Sequence, residues 1–207
     1  MIKDLRRLPK EKNNVMFHRI ATMFYERGFF TQAQIDQAVS SMEKSFDQVA
    51  QTAEASIGDN PTFLFVKIVS GKVSTTAKVQ GLLQFVQSNQ ETPRMVIVDD
   101  ISFKPFKELI EGYPKVEVFR MREIFLDPFH HIYSPAVRVL TASEKEKFLH
   151  DMGIHIKELP RIEKVDAMAR YLNLQVGDII EIRRPSTTSG ESLTYKRVID
   201  CSWEKLF

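Results

Sequence analysis

Residues 159–197 constrain the fold more than any other stretch, because they carry closely spaced signals for a short helix and two strands. Pro160 has no backbone N–H and restricts the residue before it, so the segment around it is expected to be extended. A Gly-Asp turn at 177–178 opens a run in which isoleucine alternates with charged residues, the period of a half-buried strand. We expect Pro185 to end that strand. A second strand is expected over residues 194–199.

A short helix containing Asp166 and residues 169–172 is expected between the extended segment and the first strand. Two strands and one helix can enclose a small hydrophobic core. The C-terminal part of the chain is therefore predicted to be a compact α+β unit.

The order of these motifs resembles the C-terminal assembly domain of one RNA polymerase subunit family. The family comprises a short archaeal subunit, designated H, and the fifth-largest subunit, which the nuclear polymerases of eukaryotes share. The matching residues are Leu159-Pro160-Arg161-Ile162, Asp166, Ala169-Arg170-Tyr171-Leu172, Gly177, Arg184-Pro185-Ser186, Gly190 and Tyr195-Lys196. Weaker matches at Phe29-Phe30-Thr31, His131, Pro135 and Thr141 are similar to the longer, eukaryotic form.

The sequence also departs from the family pattern. Val165 stands where glycine is usual, Val137 where histidine is usual, and Lys196 where arginine is usual, and residues 200–207 extend past the usual end. These differences favour a divergent copy, such as one from a large cytoplasmic DNA virus like an asfarvirus. A viral copy is expected in the cytoplasm and the virion, and a cellular copy in the nucleus.

The resemblance implies two domains. Residues 1–133 would be an α/β jaw domain with a small mixed sheet and two leading helices, placed near downstream duplex DNA. Residues 134–207 would be the α+β assembly domain, docked on the largest polymerase subunit and near the small shared subunit that neighbours it. The chain alone is expected not to be an enzyme and to need no cofactor. It is also expected not to contact a membrane.

The same resemblance implies a set of partner-binding residues. Arg161, Arg170 and Arg184 are expected to be docking cations, since guanidinium groups form oriented bidentate bonds with carboxylates. The alternative, which stays open here, is that each arginine pairs within the chain with Asp166, Asp178 or Glu181. The implied partner-binding residues are Leu159, Pro160, Arg161, Ile162, Asp166, Arg170, Tyr171, Arg184, Pro185, Ser186, Gly190, Tyr195 and Lys196.

Composition bounds the class of protein. The chain has 207 residues, 43% of them hydrophobic, which suits one large or two small folded domains. The net charge of +2 is mild, so any contact with nucleic acid is expected to be weak. Cys201 is the single cysteine, which suits a reducing compartment. Neither a signal peptide nor an apolar run near the roughly 20 residues of a membrane span is evident, so we expect a soluble intracellular protein.

The N-terminal residues 1–27 carry seven basic and three acidic side chains. Arg6, Arg7, Lys10 and Lys12 are the candidates for non-specific contact with DNA phosphates. A solvated basic surface that aids solubility explains the same residues.

Upstream of the assembly domain, strands and helices alternate, which predicts a small α/β sheet with some parallel pairing. A capping-box pattern at Thr31 and Gln34 marks the start of the second helix. The expected elements are helices over 15–27, 31–53, 75–88, 103–111 and 141–152, strands over 63–69, 95–98 and 115–119, and a short helix or link over 121–129. The domain boundary is expected near residues 131–135.

The enzyme alternatives are weak. Asp99 and Asp100 follow a predicted strand, as in a metal-dependent nuclease, but Phe65 stands where the carboxylate two residues before Lys67 should be. His130-His131 lacks ligand partners at metal-site spacing. The remaining alternative is a free-standing, non-specific DNA-binding protein with an inactive nuclease-like domain.

Overall fold

The structure is a computed structural model that describes residues 9–57, 63–88, 91–126, 129 and 134–207. The chain divides into two compact units, Met1–Leu126 together with Phe207, and Asp127–Leu206. The predicted boundary at 131–135 falls largely outside the described residues, so the domain limits 1–133 and 134–207 stay a prediction. No helix in the described ranges is long and apolar enough to cross a membrane.

The first unit begins with two helices, α1 (Pro9–Glu26) and α2 (Ile35–Ser45). Apolar side chains of α1 recur at helical spacing and are buried, as expected for one face of an amphipathic helix: Met16, Phe17, Ile20, Ala21, Met23 and Phe24. Gly28 follows with a φ of +80°, and its N–H donates to the Tyr25 carbonyl oxygen at 2.8 Å. The predicted helix and its glycine stop are confirmed, although α1 begins earlier than residue 15.

The second predicted helix was too long. It was expected to reach Ala53, but α2 ends at Ser45, and Thr52–Ala55 forms the strand β1 instead. The Asp47 carboxylate accepts hydrogen bonds from the N–H groups of Val49 and Ala50 at 2.7 and 3.2 Å, which turns the chain out of the helix. Val49, which lies within the range of the predicted helix, is 95% exposed.

The first unit is built on a four-stranded sheet in the order β1-β2-β3-β4, with β2 (Leu64–Val73), β3 (Arg94–Ile101) and β4 (Val116–Arg120). The last three strands are parallel and β1 is antiparallel, so the predicted mixed sheet is confirmed. The crossovers contain α3 (Leu82–Gln87) and α4 (Phe103–Gly112), and α5 (Met121–Leu126) follows β4.

The helix predicted over residues 75–88 is interrupted. A 3₁₀ turn at Thr76–Lys78 is followed by Gly81 with a φ of +68°, and only then does α3 begin. A left-handed residue cannot continue a right-handed helix, so the chain restarts there.

The second unit is also a four-stranded sheet, in the order β5-β7-β8-β6. Its strands are β5 (Ala136–Val139), β6 (Arg161–Glu163), β7 (Ile179–Ser186) and β8 (Gly190–Ile199), and its helices are α6 (Ala142–Met152) and α7 (Ala167–Tyr171). β6 runs parallel to β8, and the other two pairings are antiparallel. The mixed sheet with helices is consistent with the predicted α+β unit, although that prediction counted only two strands.

A helix packs on each face of this second sheet, and each face has its own hydrophobic core. One face packs against α7, with Ile162, Ala169, Leu174, Ile180, Ile182 and Val198 buried together. The other face packs against α6, where Leu140, Leu159 and Ile179 are buried and the partly buried Phe148 and Leu149 pack against them. We call these the α7 face and the α6 face.

Pro185 does not end β7, contrary to the prediction. The strand continues to Ser186, and Pro185 lies opposite Glu191 of β8. The Ile179 carbonyl oxygen accepts a hydrogen bond from the Leu140 N–H, so the backbone groups of Ile179 point away from β8. Backbone groups of successive residues in an antiparallel strand point alternately to the two sides, so those of Pro185 also point away from β8. β5 pairs only as far as Arg183. The missing N–H of Pro185 therefore falls on an edge with no neighbouring strand among those described, where proline is tolerated.

Candidate partner-binding site

The segment around Pro160 is extended, as predicted. Leu159 has φ −66° and ψ 143°, and β6 begins at Arg161. The Pro160 carbonyl oxygen accepts a hydrogen bond from the Arg197 N–H at 2.8 Å, which fixes the segment beside β8. Leu159 and Ile162 are both buried, on opposite faces of the sheet. The exposed residues of the segment are Pro160 and Arg161.

The helix that follows is fixed by side-chain contacts within the unit. Asp166 is the N-cap of α7 and accepts from the Met168 N–H at 2.9 Å. Tyr171 is buried, and its ring stacks on Phe129 at 4.9 Å between centroids. Arg170 is half-buried in the last turn of the helix. The fold of the unit itself therefore accounts for the positions of Asp166 and Tyr171.

A polar network on the α6 face includes Tyr195. Its hydroxyl donates to Glu181 at 3.0 Å, and its ring packs on Phe148 at 4.2 Å. Arg138 joins the network by donating to Glu144 at 2.6 Å and to Glu181 at 3.3 Å. Burial, followed by the hydrogen bond to Glu181, raises the pKa of Tyr195.

Sequence reasoning missed Arg138 and Glu144 as members of this network. Residues 138 and 181 become neighbours only through the register of β5 with β7. The capping box at the start of α6 was the one local signal: the Thr141 N–H donates to Glu144 at 2.8 Å. That backbone bond first, and then the bond from Arg138, lower the pKa of Glu144 from 4.5 to about 2.

Arg161 and Arg184 are exposed, and neither forms an ion pair or side-chain hydrogen bond with another residue in the described ranges. The carboxylates that were candidates for internal pairing bond elsewhere. Asp178 accepts from the Gln175 N–H at 2.7 Å, and Glu181 pairs with Arg138 and Arg183. The internal-pairing alternative is therefore not seen for these two arginines.

These two arginines lie on opposite faces of the sheet. Arg161 is beside Arg197 of β8, whereas Arg184 is opposite Ser192, and the two β8 positions differ by an odd number of residues. Successive strand residues point to opposite faces, so Arg184 shares the α7 face with Lys196, and Arg161 lies on the α6 face. The sequence could not show this, because the assignment needs the register of three strands.

The remaining implied residues lie in the β7–β8 hairpin. Pro185 and Gly190 are exposed, Ser186 is half-buried, and the Ser186 hydroxyl bonds with that of Thr188 at 3.2 Å. Gly190 has a φ of +74°, a conformation that favours glycine at the end of this tight turn. The hairpin places the three residues together at the end of the sheet.

The four residues predicted to contact DNA lie near the start of the chain. Arg6 and Arg7 lie outside the described residues, as do the side chains of Lys10 and Lys12 in the first turn of α1. The side chain of Arg27, another basic residue of this region, is 3% exposed and forms a bidentate ion pair with Glu117, with both N–O distances 2.8 Å. Its guanidinium group also lies over the Phe24 ring, so Arg27 stabilises the first unit.

The nuclease-like alternative gains no support. Lys67 is 5% exposed and donates to the Ala50 carbonyl oxygen at 2.8 Å, and burial lowers its pKa. Asp99 accepts from the Gly71 N–H at 2.8 Å, and Asp100 pairs with Lys72 at 3.4 Å. Among the residues described, no group of three or more histidine, cysteine or acidic side chains could hold a metal ion. His130 and His131 lie outside those residues.

Comparison with known proteins identifies the family. The family model for the RNA polymerase Rpb5 C-terminal domain matches residues 126–198. The DNA-directed RNA polymerase subunit Rpo5 of Sulfurisphaera tokodaii is 39% identical over 77 residues, which are 37% of this chain and 92% of that protein. The chain belongs to the Rpb5 family. The family resemblance of residues 159–197 is thereby confirmed.

Two longer Rpb5 relatives extend the similarity into the first unit. The subunit RPABC1 of DNA-directed RNA polymerases I, II and III of Caenorhabditis briggsae is 27% identical over 195 residues, 87% of this chain and 92% of that protein. DNA-directed RNA polymerase subunit 5 of Acanthamoeba polyphaga mimivirus is 25% identical over 141 residues, 68% of each chain. This Rpb5 chain is therefore similar in extent to the eukaryotic form.

The Glu144 network predicts a specific loss of stability in acid. Because the folded-state pKa of Glu144 lies below its ordinary value of 4.5, its contribution is present above that pH and is lost as the pH falls towards about 2. We expect Glu144→Gln to lower the melting temperature at pH 7 and the difference from the parent to vanish near pH 2. Thermal unfolding followed by circular dichroism at several pH values measures this.

Glu146→Gln is the matched control, since Glu146 is exposed in the same helix and its carboxylate makes no hydrogen bond or ion pair with another described residue. A difference between Glu144→Gln and the parent that stays constant from pH 7 to pH 2 would contradict the assigned role of the carboxylate.

Proposed function

We propose that this chain is a non-catalytic subunit of a multisubunit DNA-directed RNA polymerase. It docks on the largest subunit through residues 134–207 and holds residues 1–133 as a jaw near downstream DNA. The observation that carries the proposal is that the family match at 126–198 covers the unit in which the Arg161 and Arg184 side chains are exposed, with no partner among the described residues. The compartment is that of the polymerase, which is the nucleus for a cellular enzyme and the cytoplasm and virion for a viral one.

The physical case for docking rests on these two arginines. Pro160 holds the backbone before Arg161, and Arg184 is held in the β7–β8 ladder before Pro185, so both guanidinium groups project from fixed backbone. Less conformational entropy is lost on binding when the backbone is already ordered. Guanidinium groups bind carboxylates in bidentate geometry, so carboxylates of the largest subunit are the expected acceptors.

The other implied residues form two groups, one that is buried in the unit or fixes its fold and one that is at least partly exposed. Leu159, Ile162 and Tyr171 are buried in the cores of their own unit, and Asp166 caps α7, so we propose that they shape the site rather than bind the partner. Lys196 lies half-buried on the α7 face between the two arginine-bearing strands. The proposed contact residues are Pro160, Arg161, Arg170, Arg184, Pro185, Ser186, Gly190, Tyr195 and Lys196.

Docking predicts separate effects on stability and assembly. We expect Arg161→Ala or Arg184→Ala to leave the melting temperature of the free chain nearly unchanged, since both side chains are exposed and unpaired within the described structure. Incorporation into the polymerase should fall sharply, because removing one partner of a buried interfacial ion pair typically costs about 2 to 5 kcal/mol. Co-purification of the tagged variants with the largest subunit measures incorporation.

Lys157→Ala controls for the loss of one positive charge on an exposed residue next to this segment. If Arg161→Ala and Arg184→Ala instead lower the melting temperature substantially, and each folded molecule assembles normally, then these arginines stabilise the unit and docking occurs elsewhere.

The jaw proposal predicts weak, non-specific binding of duplex DNA by the N-terminal basic residues. We expect joint charge reversal of Arg6, Arg7 and Lys10 to weaken binding equally for unrelated duplex sequences. It should also reduce the slope of log affinity against log salt by roughly one for each phosphate that the variant no longer neutralises. Fluorescence anisotropy over a salt series measures both quantities.

The control for charge is the joint reversal of Lys104, Lys147 and Lys157, three exposed lysines elsewhere in the chain. Equal weakening by the two triple variants would mean that net charge, rather than the N-terminal residues, governs DNA binding.

A further inference from the structure

One stretch of β8 has a strand on only one side. β6 pairs with β8 only at Arg197, Val198 and Ile199, while β7 pairs with β8 along its length to the hairpin turn. Residues 190–196 of β8 therefore have β7 on one side and, among the described residues, no strand on the other. We call this stretch the open edge.

The backbone groups of the open edge can be assigned a direction. The Arg197 N–H donates to Pro160, so Arg197 faces away from β7. In an antiparallel ladder this direction alternates, so Tyr195, Leu193 and Glu191 also present their N–H and C=O groups outwards. The Glu191 carbonyl oxygen accepts from the Ser189 hydroxyl at 2.9 Å. The N–H and C=O of Leu193 have no hydrogen-bond partner in the part of the chain that the structure describes.

Two prolines determine which edges stay open. The next rung of the β6–β8 ladder would need an N–H from residue 160, which proline lacks, so β6 cannot extend along the open edge. On the far side of the hairpin, Pro185 removes the outward donor from the β7 edge, a common protection against strand addition. The hairpin is thus protected on its β7 side and left open on its β8 side.

The surroundings of the open edge are apolar at one point and basic around it. Leu193 is 51% exposed. Arg161 and Arg197 lie on the α6 face at the Pro160 end, and Lys196 lies on the α7 face with Arg184 on the neighbouring strand. The Arg197 Nε is buried and has no hydrogen-bond partner among the described residues. Among the described residues, the outward backbone groups of Leu193 and the side chains of Arg161 and Arg184 therefore have no partner.

We propose that the open edge binds an extended, acidic segment of another polymerase subunit, which adds to the sheet as a fifth strand. The inference rests on the proposed polymerase function. About six residues would fill the stretch from Pro160 to the hairpin turn, roughly 20 Å at 3.3 Å per residue. One apolar side chain of the segment covers Leu193, and acidic side chains reach the flanking cations.

This arrangement explains how cations on opposite faces of the sheet can serve one partner. Alternate side chains of an added strand point to the two faces in turn, as they do in β8 itself. One bound segment therefore reaches Arg161 on the α6 face and Lys196 on the α7 face. A partner that lies flat on either face would reach only one of them.

Leu193→Pro is the test substitution, because it removes the outward N–H without removing a hydrogen bond to β7. The matched control is Leu193→Thr, which also loses the apolar side chain but keeps the N–H and suits a strand. We expect both free variants to melt close to the parent. Co-purification with the largest polymerase subunit should weaken by roughly tenfold or more for Leu193→Pro relative to Leu193→Thr.

Amide hydrogen exchange provides a second test that needs no substitution. The Leu193 amide should exchange rapidly in the free chain and become protected in the assembled polymerase. The amides of Ser192 and Thr194 face β7 and should be protected in both states. Exchange is carried out in the complex and read by NMR after the labelled subunit is released.

The outcomes separate the two levels of inference. Normal assembly of Leu193→Pro together with an unprotected Leu193 amide in the polymerase overturns strand addition and leaves the polymerase function standing. Failure of the parent chain to co-purify with polymerase overturns the function itself. Protection of Leu193 in the isolated chain at high concentration, with dimer formation, would assign the open edge to a second copy and overturn the proposal.

Discussion

The antiparallel ladder between β7 and β8 is the interaction on which the second unit depends. Neighbouring isoleucines of β7 supply both hydrophobic cores: Ile179 packs under α6, while Ile180 and Ile182 pack under α7. β5 adds to the outer side of β7, and β6 adds to the far end of β8. Because every other strand attaches to this hairpin, its register decides which face each docking residue occupies.

Local signals in the sequence predicted the elements that have local causes. The helix predicted over residues 141–152 matches α6, which begins after a capping box and ends at Gly153, and Pro160 marked the extended segment before β6. The errors arose where distant residues decide the structure. Residues 52–55 became a strand because β2 offers them a partner, and Pro185 stays in β7 because β5 stops at Arg183.

The candidate site also has a part that the sequence predicted and a part that only the structure shows. A family resemblance over residues 159–197 identified the partner-binding stretch, but it could not distinguish side chains that build the unit from those that are exposed. Burial makes that distinction, since Leu159 and Tyr171 belong to the cores whereas Arg161 and Arg184 do not. That these arginines lie on opposite faces follows only from strand register, which no local pattern encodes.

The most direct test asks whether the second unit alone carries the docking surface. Tagged residues 134–207 and tagged residues 1–133 are expressed separately in cells that contain the polymerase, and each fragment is captured by its tag. Captured proteins are identified by mass spectrometry, and circular dichroism checks that each fragment is folded. We predict that residues 134–207 fold cooperatively and recover the largest polymerase subunit, whereas residues 1–133 do not recover it. Recovery of that subunit by residues 1–133, or only by the full chain when residues 134–207 are folded, would contradict docking through the second unit.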